Sequence, residues 1–383
     1  MREGLYAKLL KKMGIYREGK LDMGFLSLVL VLLSIGLVML FSASYAYSYA
    51  RFNNSYHFII RQAIFAVVGV VIMFALSRVD VKVYRKMAIP LYVVSIALLV
   101  LVLALPPMVE GMDHKRWLVL GPITFQPSEI AKFAIITLFA HLIAKYHKRM
   151  DKFKFVMTLL LLLAGVCGLV VIETHLSATI LILLIGVVLM IVGGLAVKYI
   201  VMGAGVAVGA VILVVVTGVV DYASSRFTYW LDPWADASGS GYQTIQSLLA
   251  IGSGGLLGRG IGQSRQKYSW LPEPHNDFIF AIVSEELGLI GAMIIVILFC
   301  LLIWRGFVIA MHSPDKFSSL MAVGLSFQVA LQAALNIMVV TNTIPNTGIS
   351  LPFFSYGGTA LIILLAEMGV VLSISRSANL EKV

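Results

Sequence analysis

The first long apolar run of the chain reads Met23-Gly-Phe-Leu-Ser-Leu-Val-Leu-Val-Leu-Leu-Ser-Ile-Gly-Leu-Val-Met-Leu-Phe-Ser-Ala43. It contains no charged residue and has the length of roughly 20 residues that a helix needs to cross a membrane. Because a signal-peptide core spans only about 7–15 residues, we interpret the run as a retained first transmembrane helix. This stretch predicts a helical membrane fold.

The composition of the whole chain supports the same fold class. The 383 residues are 60% hydrophobic and 13% charged, and the mean hydropathy is +0.96. A soluble domain carries about 25% charged residues, so this chain has too little polar surface to cover a water-facing globule. Disordered proteins, disulfide scaffolds and cytosolic enzymes are therefore excluded. Cys167 and Cys300 both lie in apolar runs, where a disulfide or a metal pair is not expected.

Ten apolar segments have the length of membrane spans, which predicts an all-α, polytopic membrane protein with ten transmembrane helices. Their approximate limits are 23–47, 57–77, 87–107, 127–146, 155–172, 177–195, 199–220, 277–303, 318–341 and 350–374. An even number of spans puts both termini on one side. With the N-terminus inside, 20 of the 29 Lys and Arg residues lie on the inner side, so we predict N-in, C-in topology. The net charge of +10 then marks topology, and no nucleic-acid partner is expected.

The predicted topology divides the chain into three parts. Residues 1–22 form a cytoplasmic N-terminal segment, residues 23–376 form the membrane domain, and residues 377–383 form a cytoplasmic tail. The membrane domain includes a large extracellular loop, 221–276, between the seventh and eighth helices. Long loops are uncommon unless they are functional, so we expect chemistry in this loop and in the second outer loop, from Pro106 to Gln126.

Charged residues inside or beside the spans are candidate functional groups, because burying a charge in a membrane is costly. Glu129 and Lys132 are three residues apart, which places them on one helix face. They form either a structural ion pair or the polar wall of an outward-opening cavity. Asp277 stands where the eighth helix begins, so it is either a cap for that helix or an active-site carboxylate.

A glycine-rich stretch, Gly252-Ser-Gly-Gly-Leu-Leu-Gly-Arg-Gly-Ile-Gly262, lies in the large outer loop. Its spacing differs from that of nucleotide-binding loops, and no strand precedes it. Two interpretations remain open. The backbone N–H groups could approach an anion, with Arg259, Arg265 and Lys267 adding charge, or the stretch could simply pack back into the protein.

Three long motifs resemble the signatures of the SEDS family, the shape, elongation, division and sporulation proteins typified by RodA, FtsW and SpoVE. The motifs are Lys115-Arg-Trp-Leu-Val-Leu-Gly-Pro-Ile-Thr-Phe-Gln-Pro-Ser-Glu-Ile-Ala-Lys132, Leu271-Pro-Glu-Pro-His-Asn-Asp-Phe-Ile-Phe-Ala-Ile-Val-Ser-Glu-Glu-Leu-Gly288 and Gly348-Ile-Ser-Leu-Pro-Phe-Phe-Ser-Tyr-Gly-Gly-Thr359. They occur in the family's order, and the resemblance covers nearly the whole chain. Within the family, the segments 241–247 and 262–267 look more like the division and sporulation branch than RodA.

The resemblance implies a peptidoglycan glycosyltransferase that polymerises lipid II at the outer face of the bacterial plasma membrane. It places the catalytic carboxylate on Asp277. The other candidate residues would bind substrate; they are Arg116, Trp117, Gln126, Ser128, Glu129, Lys132, Glu173, Arg265, His275, Ser355, Tyr356 and Gly357. Such chemistry needs a base for the acceptor hydroxyl and cations for the departing pyrophosphate. No cofactor is predicted beyond a candidate divalent cation, Mg²⁺ or Mn²⁺. The expected partners are a class B penicillin-binding protein that acts as a transpeptidase, other division or elongation proteins, and membrane lipids.

One turn departs from the family pattern. Members commonly have a Glu/Gln-Pro-Asp-Leu-Gly type sequence after the fifth span, whereas this chain reads Glu173-Thr-His-Leu-Ser177. The acidic residue is thus replaced by His175, which cannot supply the same charge.

Two other function classes stay open on the residues alone. A polytopic protein with charged residues in a cavity could be a transporter that flips lipid II, and Glu285, Glu286 and Glu367, which lie deeper, favour that hypothesis. The absence of a readable internal repeat speaks against it. A structural scaffold of the division machinery would leave the outer set of Asp, Arg, Gln and Lys residues unexplained.

Overall fold

The computed structural model describes residues 19–106, 116–120, 123–203, 229–239, 241–268 and 270–379. Most of these residues are helical. The helices are α1 (Met23–Phe52), α2 (His57–Leu76), α3 (Val81–Ala104), α4 (Pro127–Tyr146), α5 (Phe153–Ile172), α6 (Leu176–Val192), α7 (Tyr242–Gly254), α8 (Ile279–Met311), α9 (Lys316–Val340) and α10 (Gly358–Ser375). Between α3 and α4, strands β1 (Leu118–Leu120) and β2 (Ile123–Phe125) form an antiparallel pair in which Leu118 faces Phe125. Two short 3₁₀ helices are His147–Arg149 and Pro233–Asp236, and residues 197–203 and 229–231 are also helical.

Eight helices in the described part of the chain are long and apolar enough to cross a membrane, namely α1–α5 and α8–α10. The prediction of a multi-pass, mostly helical membrane protein is therefore confirmed. Helix α6 is apolar but has only 17 residues, and the predicted seventh span, 199–220, lies mostly outside the described residues. The number of ten spans and the N-in, C-in orientation stay predictions.

The last span begins later than the sequence pattern predicts. Residues 350–357 were expected to be helical, but α10 starts only at Gly358. Pro352 has no N–H to donate to a helical turn, and Phe353 has a φ of +66°, which no regular right-handed helix allows. The apolar residues of this segment therefore form an irregular, non-helical stretch before α10.

Side-chain caps are present at three helix starts at the end predicted to lie inside, whereas α5, which also begins there, has none. At the end predicted to lie inside, α1, α3 and α9 begin at Asp22, Asp80 and Asp315, and each carboxylate accepts a hydrogen bond from a first-turn N–H. At the opposite end, which we call the outer end, α4, α6, α8 and α10 begin without such a cap: no side chain among the described residues accepts from their first turns. The N–H groups of these first turns and the positive ends of the helix dipoles are therefore available to a group at the outer end of the bundle.

Close packing of α2 against α10 fixes the position of the cavity described below. A Cβ atom on Gly369 would lie 2.5 Å from the carbonyl oxygen of Met73, and one on Gly69 would lie 2.6 Å from Cδ1 of Leu365. Small residues at such contacts let two helix backbones approach closely in a membrane. At the outer end of the same contact, the Phe65 ring lies against Gly358, the first residue of α10.

The glycine-rich stretch packs against an interruption of α8. Gly288 has φ +67° and ψ −172° inside this helix. The loop supplies bonds there: the N–H groups of Arg259 and Gly260 donate to the carbonyl oxygens of Glu285 and Glu286, both at 3.0 Å. The stretch therefore packs back into the protein, which is the second of the two interpretations given above.

The carboxylates of Glu285 and Glu286 accept hydrogen bonds from backbone N–H groups that follow this stretch in the sequence. Glu285 accepts from the backbone N–H of Arg265 at 3.0 Å, and Glu286 accepts from the N–H of Ser264 at 3.2 Å. The ammonium group of Lys267 lies 3.0 Å from Glu286, and both side chains are buried. The loop thus binds anions that belong to the chain itself.

Candidate active site

A cavity of about 560 Å³ lies at the outer end of the bundle. Its size is within the range of small-molecule sites, roughly 300–1,000 Å³. The three sequence motifs meet there although they are far apart in the chain. Of the predicted site residues, the structure places nine in the cavity wall: Arg116, Trp117, Gln126, Glu129, Lys132, Asp277, Ser355, Tyr356 and Gly357.

Four helices begin at this cavity. Gln126 precedes α4, His175 precedes α6, Asp277 lies two residues before α8, and Gly357 precedes α10; all four residues line the wall. A helix N-terminus carries a partial positive charge and unpaired N–H groups, both of which favour an anion. The side chains of Arg116 and Lys132 add two full positive charges to the same wall. The wall also carries the carboxyl groups of Glu129, Glu273 and Asp277, so the helix N-termini and the cations favour an anion only in the part of the cavity that they face.

Asp277 is half-buried in the turn before α8, with its carboxyl group at the cavity. Burial raises the pKa of this carboxyl to about 6; a backbone hydrogen bond acts in the opposite direction, and the charge of Glu273 raises the pKa further. The backbone of Asp277 is anchored from α9, because the Asn336 side chain donates to its carbonyl oxygen at 2.6 Å. A rigidly held carboxylate with a pKa just below neutrality can take up a proton at physiological pH.

Glu129 and Lys132 form the ion pair that their spacing predicts. The Lys132 Nζ atom lies 2.9 Å from Oε2 of Glu129, and only 1% of the Lys132 residue is exposed. Both residues also line the cavity. The two interpretations of this pair are thus compatible: one interaction joins the two charges and also places a cation in the wall.

Arg116 comes from the segment just before β1 and reaches across to the turn between α5 and α6. Its guanidinium donates to the carbonyl oxygen of Glu173 at 3.3 Å and also to the carbonyl oxygen of Thr174. Thr174 has a φ of +58°, which turns both carbonyls toward the same side. These bonds hold the short β1–β2 hairpin, and with it Trp117, against the start of α6.

Glu173 does not line the cavity, in contrast to its predicted role in substrate binding. Its side chain is buried, and neither carboxyl oxygen has a hydrogen-bond partner among the described residues. Burial raises the pKa of Glu173 to about 8, although the nearby charge of Arg116 lowers it in part. The sequence could not distinguish the two sides of this turn, because adjacent residues of a tight turn point in different directions.

The Ser355–Gly357 segment joins the non-helical stretch to α10. The Ser355 hydroxyl donates to the carbonyl oxygen of Asn276 at 2.6 Å, and the N–H of Tyr356 donates to the carbonyl oxygen of His275 at 2.9 Å. On its other side, the buried Gln62 of α2 bonds to the backbone of Ser355 and Gly357, each at 3.2 Å. The segment therefore couples the loop that carries Asp277 to α2 and α10.

Three other predicted residues lie outside the wall. His275 is buried between the rings of Tyr47 and Phe58, at centroid distances of 4.9 and 4.3 Å, and burial lowers its pKa to about 4. Ser128, the second residue of α4, is buried, and its hydroxyl lies 3.4 Å from Nδ1 of His175. Arg265 is exposed in the large outer loop and is absent from the cavity lining.

Several cavity residues were missed by the sequence interpretation. Arg61 lines the cavity from the first turn of α2, where a lone charge in an apolar run was an available signal. Gln328 and Gln332, one turn apart on α9, form a polar stripe that points into the cavity. Behind them, Gln328 donates to the buried carboxyl of Glu367 at 2.7 Å. Glu273 and Asn276 complete the mouth beside Asp277.

In the described part of the chain, no three His, Cys, Asp or Glu side chains converge in a way that could hold a metal ion. A Mg²⁺ ion does not require such a cluster, because it keeps several waters and often binds through one or two carboxylates plus substrate phosphates. At the cavity mouth, the exposed carboxylate of Glu273 accepts a hydrogen bond from the Asn276 side chain at 2.8 Å, and the divalent cation stays a prediction.

The family model of cell cycle proteins of the FtsW, RodA and SpoVE type matches residues 23–380. The chain belongs to the SEDS family. The resemblance found in its motifs is thus confirmed, and the match includes all three of them. Stage V sporulation protein E of Bacillus subtilis (strain 168) is 39% identical over 357 residues, which are 93% of this chain and 97% of that protein.

Other relatives agree with this assignment. The probable peptidoglycan glycosyltransferase FtsW of Geobacter sp. (strain M18) is 37% identical, with 92% of this chain and 96% of that protein covered. Among solved structures, a chain of a peptidoglycan synthase complex that coordinates polymerization and crosslinking matches with a TM-score of 0.79 and 29% identity, over 94% of this SEDS chain and 99% of that chain. The rod shape determining protein RodA of Thermus thermophilus matches with a TM-score of 0.69 and 27% identity, over 94% and 98%.

Proposed function

We propose that this SEDS protein is a peptidoglycan glycosyltransferase that polymerises lipid II into glycan strands. The observation that carries the proposal is the position of Asp277. Its carboxyl group, with a pKa of about 6, faces a cavity at which four helix N-termini and the cations Arg116 and Lys132 converge. One base beside an anion-attracting pocket is what transfer of a sugar from a lipid diphosphate requires.

The proposed reaction assigns one step to Asp277. Its carboxylate takes the proton of the acceptor sugar's hydroxyl while the hydroxyl oxygen forms a bond to the donor's anomeric carbon. The bond from that carbon to the diphosphate oxygen breaks, and the lipid diphosphate leaves with its electron pair. A single displacement of this kind inverts an α-linked donor into a β-linked polymer. A general base contributes typically 10²–10⁴-fold to the rate, by order of magnitude.

The diphosphate would bind where the positive charges lie. Arg116 is held by backbone carbonyls and Lys132 by Glu129, so both cations are preorganised and need little rearrangement as charge develops on the leaving group. A Mg²⁺ or Mn²⁺ ion, held by Glu273 together with the substrate, would supply further shielding of phosphate charge. The exposed Arg61 at the edge of the cavity fits the same anion from the side of α2.

The lipid tail would leave the cavity sideways between helices. Apolar residues also line the cavity wall, including Phe65 of α2, Leu181 of α6, and Leu361 and Leu364 of α10. Helix α2 exposes a broad apolar face. A cavity with both polar and apolar lining residues suits a substrate with a charged head and a prenyl chain.

The setting follows from the same proposal. The cavity would face outward from a bacterial plasma membrane, in accord with the charge distribution of the loops. A class B penicillin-binding protein would crosslink the strands, and the structural similarity to a chain of a peptidoglycan synthase complex supports such a partner. The similarity to sporulation protein E and to FtsW favours a role in division or sporulation.

The test is polymerisation of labelled lipid II by the purified full-length protein, with and without its transpeptidase partner and with divalent cations present. We expect long glycan from the wild type and at least about a 100-fold lower rate from Asp277→Asn. Asp151→Asn, an equivalent change at an exposed residue of the inner end, is the control and should retain the wild-type rate. Equal rates for Asp277→Asn and the wild type would remove Asp277 from the reaction.

A transporter is the competing function. Absence of polymer from every protein, together with lipid II translocation by the wild type in vesicles, would replace the transferase by a flippase. In that case Asp277→Asn would be compared again, with translocation as the readout.

A further inference from the structure

The ring of His175 has two different edges. Its Nδ1 atom lies 3.1 Å from the side-chain amide nitrogen of Gln126 and 3.4 Å from the hydroxyl of Ser128, both at the start of α4. Both side-chain hydrogen bonds of the ring within the described part of the chain are at Nδ1, with none at Nε2, and the residue lines the cavity. One edge is therefore anchored to the protein, and the other is available to a ligand.

The anchored edge determines the tautomer. In the orientation that the Gln126 amide adopts, its nitrogen faces Nδ1; an amide nitrogen carries two N–H donors and no acceptor lone pair, so in this arrangement Nδ1 accepts. The serine hydroxyl can donate to the same lone pair. A neutral ring whose Nδ1 accepts carries its hydrogen on Nε2. Nε2, the nitrogen that α4 does not engage, is thus a hydrogen-bond donor.

The surroundings keep the ring neutral. Burial, together with the nearby charges of Arg116 and Lys132, lowers the pKa of His175 to about 3. An acidic residue at this position would compete with an incoming anion for both cations, whereas a neutral donor does not. With His175 in place of the acidic residue of the family pattern, the wall has one negative charge fewer but still presents a polar side chain at this position.

We infer that His175 donates its Nε2–H to an oxygen of the substrate's diphosphate, as a positioning residue between Arg116 and Lys132. The inference rests on the proposed function for the choice of diphosphate as ligand. It extends that function, because it assigns a role to a residue of this chain that the family pattern does not supply. The ring is placed for the task at the N-terminus of α6, where the helix dipole favours the same anion.

The competing explanation is a purely structural one. In that case His175 serves only to brace Gln126 and Ser128 through Nδ1, and the Nε2 edge contributes nothing. Two substitutions separate these explanations. The amide nitrogen of glutamine takes the place of Nε2–H, so His175→Gln retains the donor to the cavity and loses the brace. The amide oxygen of asparagine takes the place of Nδ1, so His175→Asn retains the brace and loses the donor.

The experiment is binding of undecaprenyl diphosphate to the purified full-length protein in nanodiscs, which does not depend on turnover. We expect His175→Gln to bind within a few-fold of the wild type, and His175→Asn to bind about tenfold or more weakly, because it loses one hydrogen bond to a charged group. His147→Asn, at an exposed position of the inner end, is the control for loss of a histidine. Thermal unfolding of each variant verifies that it is folded.

Each outcome decides the inference. The reverse order, with asparagine near wild type and glutamine impaired, would establish the structural explanation, and equal binding by all variants would also overturn the inference. A wild type that does not bind the diphosphate lipid would overturn it as well, whether or not it polymerises lipid II. If the wild type binds with the expected order of variants but makes no polymer, the role of His175 stands and the proposed function fails.

A spectroscopic readout tests the tautomer directly. With the seven histidines ¹⁵N-labelled, the signals that disappear in His175→Gln belong to His175. We expect Nε2 to be protonated and Nδ1 to be unprotonated at pH 7, and the Nε2 signal to shift on addition of undecaprenyl diphosphate. A protonated Nδ1 in the free protein would contradict the inference.

Discussion

The side-chain amide of Asn336 lies 2.6 Å from the backbone carbonyl oxygen of Asp277. The same nitrogen lies 2.6 Å from the carbonyl oxygen of Ile349, and the side chain is completely buried. Helix α9 thus anchors the loop that carries the proposed base and the segment that precedes α10 through one group. The carboxylate of Asp277 is positioned by a residue that never has to touch the substrate.

Asn336→Leu should therefore lower both stability and activity. Leucine has a similar volume but no donor, so two buried carbonyl oxygens lose their partner, each at a cost of about 1–3 kcal/mol. We expect a lower thermal unfolding temperature and a polymerisation rate reduced by more than the folded fraction explains. Thr341→Val, at the exposed end of the same helix, should unfold like the wild type. Unchanged activity in Asn336→Leu would contradict the anchoring role.

The rate of polymerisation should depend on pH through Asp277. The carboxyl must be ionised to accept a proton, and its pKa is about 6. Below that pH the protonated fraction grows, so the rate should fall about tenfold for each further unit of pH. Initial rates between about pH 5 and about pH 8 would measure this acid limb. A rate that stays constant across pH 6 would exclude Asp277 as the titrating base.

Substitutions of Glu129 and Lys132 should separate the structural and the chemical role of their ion pair. Removing one partner leaves a buried charge alone, which costs about 3–5 kcal/mol, whereas removing both is often close to neutral. We expect Glu129→Gln and Lys132→Met each to lower the unfolding temperature, and the double variant to regain most of it. The double variant should stay inactive, because the cation for the diphosphate is still missing. Recovery of activity along with stability would show that the pair is structural only.

Glu173→Gln should stabilise the protein at neutral and alkaline pH. Burial raises the pKa of Glu173 from 4.5 to about 8 in the folded protein. Between these two values the unfolded chain has released the proton and the folded chain still holds it, so folding stability falls as pH rises. The glutamine variant does not titrate and should lack this loss. Unfolding temperatures of both proteins from about pH 5 to about pH 8 should diverge as pH increases; parallel curves would contradict the buried, protonated state.

The contact between the glycine-rich loop and α8 gives a matched pair of glycine variants. Gly258 has a φ of +79°, and a Cβ atom there would lie 2.2 Å from the carbonyl oxygen of Glu286. Gly258→Ala should therefore destabilise the protein by more than about 1 kcal/mol. Gly252, inside α7, has open space around the equivalent position, so Gly252→Ala should be neutral or stabilising by roughly 0.5–1 kcal/mol. Equal unfolding temperatures for the two variants would rule out the close contact.

The sequence predicted the helices well because apolar length and spacing are local properties. The starts of α2 and α4 fall at the predicted residues, and the bond between Glu129 and Lys132 follows from helix geometry alone. The start of α10 was misplaced because apolar content does not report the non-helical backbone at Phe353.

The composition of the cavity was only partly predictable, since it depends on which sides of distant helices meet. Arg61, Gln328 and Gln332 lie on α2 and α9, outside the three motifs, and reach the cavity through tertiary packing. His275 is next to the cavity residue Asn276 in sequence, and Glu173 is two residues before the cavity residue His175, but both are buried outside the cavity wall. Arg265 was expected to bind pyrophosphate because of its charge, and the anchoring of its backbone to Glu285 places it elsewhere.

The four helix starts without caps have a consequence for the empty and the loaded protein. The first turns of α4, α6, α8 and α10 have no side-chain cap in the described ranges. Under the proposed function, a diphosphate that accepts hydrogen bonds from these N–H groups would cap several helices at once. Its binding and release would then tighten and loosen this end of the bundle in each round of polymerisation.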